Sequence, residues 1–272
     1  MKQSRGFSLI ELAMAVLIIG LLLAGALIPL SSQIDTRNIA ETQRSMEAIR
    51  EAIIGFAQAN GRLPCPADGS KPTGAANAGL ELSSGSPSTC GQVYGAVPWS
   101  TLGVPETDGW GRRFSYYVSP IFADDKSAAT TNTTGQPLPS CTSPIPVPQS
   151  SSFALCSLGN LTVNTRSEQL PHIASAIGSW LPAVIISHGK NGSGAYTPAG
   201  GATLAMPANA GADETANAAH PTGTTFVSRV QTPSQFGACN DATGTFCEFD
   251  DLVVMISTNV LMARMVAAGK LP

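Results

Sequence analysis

Glu11 is the residue that most needs a chemical explanation. It is the single charge in FSLIELAMAVLIIGLLLAGALIPL, residues 7–30, and a carboxylate deep in an apolar bundle costs several kcal/mol unless it is paired or near an interface. Two readings meet that cost. In one, Glu11 lies early enough in the run to sit among cytoplasmic headgroups. In the other, a cut between Gly6 and Phe7 leaves an ammonium on Phe7, and the Glu11 carboxylate of one subunit neutralises the Phe7 amine of its neighbour, setting the register between subunits. The order of the parts suits such a cut. An ordinary secretory signal is cleaved after its apolar core and discarded whole, whereas here the basic leader MKQSRG, with Gly6 at its end, precedes the apolar run.

Other residue types that could do chemistry are sparse. Cys65, Cys90, Cys141, Cys156, Cys239 and Cys247 all follow the apolar run, which suits an oxidising compartment, and none shows the CxxC spacing of a zinc or thioredoxin-type site. Many connectivities are open. Sequential pairing, 65 with 90, 141 with 156 and 239 with 247, is favoured by the short Pro/Gly-rich loops between those partners. His172, His188 and His220 lack the spacing of helical zinc ligands, and no nucleophile motif flanks them. Ser193 lies in GSG, too common a pattern to mark a hydrolase, and Gly189–Gly194 lacks GxxxxGK[ST] because Lys190 comes too early. The chain is not expected to be an enzyme. Residues 65–251 hold seven Lys or Arg against thirteen Asp or Glu with no basic run, so nucleic acid is not an expected partner.

The stretch GFSLIELAMAVLIIG resembles the prepilin-type cleavage and methylation motif of type IV pilins and type II secretion pseudopilins. Gly6 matches the glycine before the scissile bond, Phe7 the first mature residue, which is N-methylated, and Glu11 the glutamate at the fifth mature position. The resemblance implies processing and methylation by a membrane prepilin peptidase, then extraction by an inner-membrane assembly platform into a helical filament of like or paralogous pilins. It also makes Pro29 a candidate for local melting of the helix inside the filament; read without it, Pro29 kinks or ends the helix. Two further stretches resemble major pseudopilins more weakly. In DGWGRRFSYYVS, Asp108, Trp110, Gly111 and Tyr116 match, and the turn at Gly109 and Gly111 is expected to fold Trp110 back into the core. VIISHGKNGSGAYT, residues 184–197, is similar to the strand and glycine-rich loop before their calcium-binding region. Calcium needs several oxygen ligands, usually including carboxylates, and this loop offers Asn191 and Ser193 but no acid. No cofactor is expected; the only calcium candidates are Asp250 and Asp251, beside Glu248.

These residues need particular elements to position them. As a helix, residues 7–30 reach about 36 Å, enough to cross a bilayer core and contact lipid. Lys2 and Arg5 precede the run and no charge follows until Asp35, which keeps the N-terminus cytoplasmic and exports the rest. Residues 31–60 read as an amphipathic continuation, with Ile39, Met46, Ile49, Ile53 and Phe56 on one face and Arg37, Glu41, Arg44, Glu47, Arg50 and Glu51 opposite, where Glu47 can pair with Arg44 or Arg50. Gly61 and Pro64 end it. Residues 61–272 form an exported globular domain with Gly/Ser/Pro-rich loops at 123–152 and 189–223. Its expected strands are 113–119, 182–187, 224–230 and 251–256, with a short helix over 258–268.

The expected fold class is therefore α+β, a long N-terminal helix laid on a small, mostly antiparallel sheet. Residues 1–6 are a leader, 7–30 the membrane and filament-core helix. The expected function is a structural filament subunit of a pilus or pseudopilus. The alternative is a minor or tip pilin that binds an adhesion target or substrate through its long loops. The expected location is a single-pass inner-membrane protein with its body in the periplasm, passing into a periplasmic or extracellular filament.

Overall fold

From Leu9 to Asn60 the sequence is rich in helix formers, and the chain forms one helix, α1 (Leu9–Asn60), of about 78 Å. The computed structural model describes residues 8–84, 89–124, 151–207, 210–218, 223–233 and 237–271, without the side chains of residues 21–32 and 84. α1 runs through Pro29 rather than ending there. Its first turn is closed by a capping box: Ser8 Oγ accepts from the Glu11 N–H at 3.3 Å, and Glu11 Oε2 accepts from the Ser8 N–H at 2.9 Å. Its last turn is closed by Gly61, left-handed at φ 75°, whose N–H donates to Ala57 O. Among the described residues no helix is long and apolar enough to cross a membrane. Of the expected span 7–30, Phe7 and the side chains of 21–30 lie outside them.

The second half of α1 buries Thr42, Met46, Ile49, Ile53 and Ala57, all at 0% exposure, in steps of four, three, four and four that keep one face inward. Ile39 and Phe56 flank this stripe half-buried, whereas the sequence pattern places them in it. Phe56 instead lies under the Arg62 guanidinium. On the outer face Arg50 pairs with Glu47 at 2.9 Å, as the spacing predicts, and Arg264 reaches Glu51 at 3.2 Å. Exposed pairs of this kind stabilise by less than about 1 kcal/mol.

After α1 come β1 (Ser83–Ser84), β2 (Thr89–Cys90), β3 (Tyr94–Ala96), α2 (Trp99–Leu102), β4 (Ser115–Val118) and α3 (Pro120–Ala123). They are followed by β5 (Leu161–Arg166), β6 (Ala174–Leu181), β7 (Ala183–Ser187), α4 (Ala212–Ala218), β8 (Thr225–Val227), β9 (Leu252–Ile256) and α5 (Thr258–Ala267). The central sheet has the order β3-β4-β7-β9 and is antiparallel throughout, with Tyr116 opposite Ile185 and Ile185 opposite Val254. Side chains alternate across a strand. Phe114, Tyr116, Val118, Ala183, Ile185 and Ile256 therefore meet Met46, Ile49 and Ile53 of α1 and Leu261 and Met265 of α5. On the opposite face Tyr117, Val184 and Ile186 pack with Leu161, Val163 and Phe226 of β5 and β8. Burial on both faces explains why β4 and β7 read as continuous apolar runs.

The structure is α+β, with a helix on an antiparallel sheet, but where one sheet is expected the described residues form three, the smallest being the antiparallel pair β1-β2. The three-stranded one has the order β6-β5-β8, in which β5 and β8 run parallel. The sequence reading did not anticipate β5 or β6. β5 has only Leu161 and Val163 as buried alternating positions, and β6, ASAIGSWL, is exposed along almost its whole length, so neither carries a clear period-two signal.

The segment Asp108–Gly111 docks the body on α1, and here an expectation is corrected. Trp110 is half-buried and does not enter the core. Close approach of backbone is what the glycines permit: the Gly109 N–H donates to Thr42 Oγ1 at 3.0 Å, and a Cβ at Gly109 would sit 2.7 Å from Asn38 O and 2.9 Å from its Cα. Asp108 fixes the turn, with Oδ1 accepting from the N–H groups of Trp110 and Arg112 and Oδ2 from the Ser187 hydroxyl. Gly109→Ala should cost about 1–3 kcal/mol, because a backbone and not a flexible side chain would have to yield. A urea unfolding midpoint of the detergent-solubilised chain measures it.

Candidate functional site

The sequence-predicted acids and glycine loop come together where β7 ends. Residues 188–194 turn back against the entry to β9 and the side of α4. Glu214, Asp250 and Asp251 each place a carboxylate oxygen within 4.8 Å of the others. Asp250 and Asp251 are the expected pair. The third place belongs to Glu214 rather than Glu248, and sequence reasoning missed it because Glu214 lies on a short helix inside a Gly/Ala-rich stretch that reads as loop.

Asn191 holds the group together. Its N–H donates to Asp250 Oδ2 and its amide NH₂ to Glu214 Oε1, both at 2.8 Å, and its Oδ1 accepts from the Ser193 N–H. Asn217 similarly donates to Asp251 Oδ2. Burial, with the charges of Asp250 and Glu248 adding to it, pushes the Glu214 carboxyl up to about 7. Burial and Glu248 push Asp250 up to about 6, and burial with Glu214 and Asp250 holds Asp251 well above the usual carboxylate range. The cluster is a proton-holding one near neutrality. As a calcium cage it fits poorly: it offers three carboxylates where calcium takes roughly six to eight oxygens, and the neighbouring amides aim donors at those carboxylates.

A pH prediction follows. The folded carboxyls bind protons that the unfolded chain releases near pH 4. Between about pH 4 and 7 the folded state therefore holds more protons, and its stability falls as pH rises. The loss should be on the order of 2 kcal/mol after allowing for solvent and mutual coupling. Thermal unfolding should be later at pH 5 than at pH 8, and Glu214→Gln with Asp250→Asn should flatten the difference.

The same strands bring Ser115, His188 and Asp251 into line, a constellation that sequence spacing does not disclose. Ser115 Oγ lies 2.8 Å from His188 Nε2, and His188 Nδ1 lies 3.7 Å from Asp251 Oδ1. The order is that of a nucleophile, base and orienting acid. Ser115 and His188 are 0% exposed and Asp251 4%. A serine sealed inside the sheet reaches no substrate, so the chain of contacts ties β4 to β7 and β9.

At the other end of the molecule, the first turns of α1 have no partner surface among the described residues. Leu9, Ile10, Leu12, Met14, Val16, Leu17, Ile18 and Ile19 are all more than half exposed, Leu9 at 89%. Consecutive positions point in all directions around a helix, so this rod is apolar on every side, as in a helix buried in lipid or among other helices. Glu11 sits in it, engaged among the described residues by Ser8. Gly6 and Phe7 lie outside the described residues, as does the Pro29 side chain. Residues 1–27 match the family described as the prokaryotic N-terminal methylation motif. The chain carries the type IV pilin and pseudopilin signature. That signature is a structural one, not that of an enzyme family. No curated protein and no solved structure matches the chain. The weaker likeness of the body to major pseudopilins is therefore unsupported.

Two disulfides are the sequential ones, Cys65–Cys90 and Cys239–Cys247. Cys156 is disulfide-bonded, and Cys141 lies outside the described residues.

Proposed function

We propose that this pilin-type chain is a structural subunit of a pilus-like or pseudopilus filament, made as a precursor that a prepilin peptidase cuts between Gly6 and Phe7 and then methylates on Phe7. The observation that carries this reading is the methylation motif leading directly into a helix that is apolar on every side. Before assembly residues 7–30 anchor the subunit in the inner membrane, with the body in the periplasm. After extraction by the assembly platform the same surface packs against other subunits in the filament core. Glu11 then neutralises the Phe7 ammonium of a neighbour, and Pro29 is where the helix loosens. Two apolar roles for one surface explain why the side chains from Leu9 to Ile19 find no cover among the described residues.

A binding role at a filament tip is the second reading. It is favoured by the apolar side chains left outward on β6 and the turn before it: Leu170, Ile173, Ile177 and Trp180 are 46–63% exposed. Copy number separates the two. Quantitative mass spectrometry of sheared filaments should find this chain as a main component if it builds the shaft, and in traces if it caps the tip.

A further inference from the structure

We propose that His172 is a proton-dependent latch between the turn at 167–173 and the disulfide-closed loop at 239–247. Its two ring nitrogens face two carbonyl oxygens: Nδ1 lies 2.8 Å from Ser167 O, and Nε2 lies 3.0 Å from Gly244 O. A carbonyl only accepts, so both contacts form only when both nitrogens carry protons, in the imidazolium. A neutral ring makes one and turns a lone pair toward the other oxygen. The ring stacks on Phe246 with centroids 3.8 Å apart, and an aromatic face favours a cation. His172 is 7% exposed, so water does not readily replace a lost bond.

The latch joins parts far apart in sequence. The His172 N–H donates to Ala242 O, and Ile173 O accepts from the Ser167 N–H, so one residue fastens the turn to the loop through backbone, ring edge and ring face. The charges packed around it balance: Arg166 donates to His172 O and pairs with Asp213, while Arg229 lies over Phe246 and pairs with Asp213 and Asp241. Glu168 is exposed on the turn itself. Asp213 and Asp241 are thus already engaged by the two arginines. The Ser167 contact is shorter and lies within the turn, so deprotonation releases the Gly244 contact. That loosens the disulfide loop from the turn carrying Leu170 and Ile173, 63% and 62% exposed. An exported body meets the pH outside the cytoplasm, and the latch would make this face respond to it.

Ring-nitrogen NMR of the full chain in detergent, labelled with ¹⁵N-histidine and ¹⁵N-glycine, tests this from pH 5 to 8.5. His172→Gln assigns its signals by their loss. The expected result is that both His172 nitrogens carry protons at the acid end, and that the Gly244 amide shifts with the same midpoint as the ring. In His172→Phe, which keeps the stack on Phe246, the Gly244 shift should lose that pH dependence. A single protonated nitrogen at pH 5, or a ring titration that leaves Gly244 unmoved, overturns the proposal. Both readouts are made on the unsubstituted chain, and where His172→Gln fails to fold, nuclear Overhauser contacts of the ring with Phe246 assign its signals instead.

Discussion

Glu11→Gln should abolish filament incorporation as completely as Glu11→Ala. The pairing separates the capping role seen in the structure from the charge-pairing role proposed for the same side chain. Glu11 closes the capping box with Ser8, and glutamine serves that box almost as well as glutamate. If capping were its whole purpose, Glu11→Gln would assemble normally, and Glu11→Ala would lose only about 1 kcal/mol of helix stability. If the carboxylate neutralises a neighbour's Phe7 ammonium, both variants leave that ammonium unpaired among apolar helices. The penalty is then several kcal/mol, which at about 1.4 kcal/mol per tenfold is a drop of 100-fold or more in assembled subunit. Immunoblots of sheared material against membrane-retained chain measure it. Normal incorporation of Glu11→Gln would remove the charge-pairing role.

The largest effect on folding is expected at Asp213. This carboxylate is 0% exposed and accepts from Arg166 at 2.6 Å and from Arg229 at 2.8 Å. Arg229 also pairs with Asp241, whose second oxygen accepts from the Asp213 N–H, and lies over Phe246 and Phe249. Two arginines and two aspartates thus join β5, α4, the segment after β8 and the Cys239–Cys247 loop as a balanced set. Removing one member of a buried pair costs about 3–5 kcal/mol, because its partners keep their charge without compensation. Asp213→Ala should lower unfolding stability by that amount, with the loop around Cys239–Cys247 opening first in hydrogen exchange. A loss below about 1 kcal/mol would show that water compensates the arginines.

The legible part of the sequence was the part governed by local rules. The motif before the apolar run, the Gly61 stop, β4, β7, β9 and α5 all rest on composition or period within a few residues. Among the described residues, two of the three sequential disulfide pairings are present. What escaped depends on distance. Arg113 reads only as the start of a strand, yet it is fully buried, stacked on Trp99 and held by Glu106 and the carbonyls of Gly69 and Lys71. Asp213 and Glu214 lie side by side on α4, one neutralised by arginines and the other crowded by acids, a difference no local pattern contains. Trp110 was misplaced for a similar reason: its segment is shaped by contact with α1, not by its own drive to bury. Of the candidate sites, Asp250 and Asp251 were foreseeable from adjacent acids, whereas Glu214 and the line Ser115–His188–Asp251 exist only after the strands pair.

The account rests on the cut between Gly6 and Phe7, because that cut creates the amine that Glu11 is proposed to neutralise. Mass spectrometry of the N-terminal peptide from assembled filaments tests it most directly. The account predicts a peptide that begins at Phe7 and carries one methyl group on its amine. A peptide still beginning with Met1 in assembled material would contradict it.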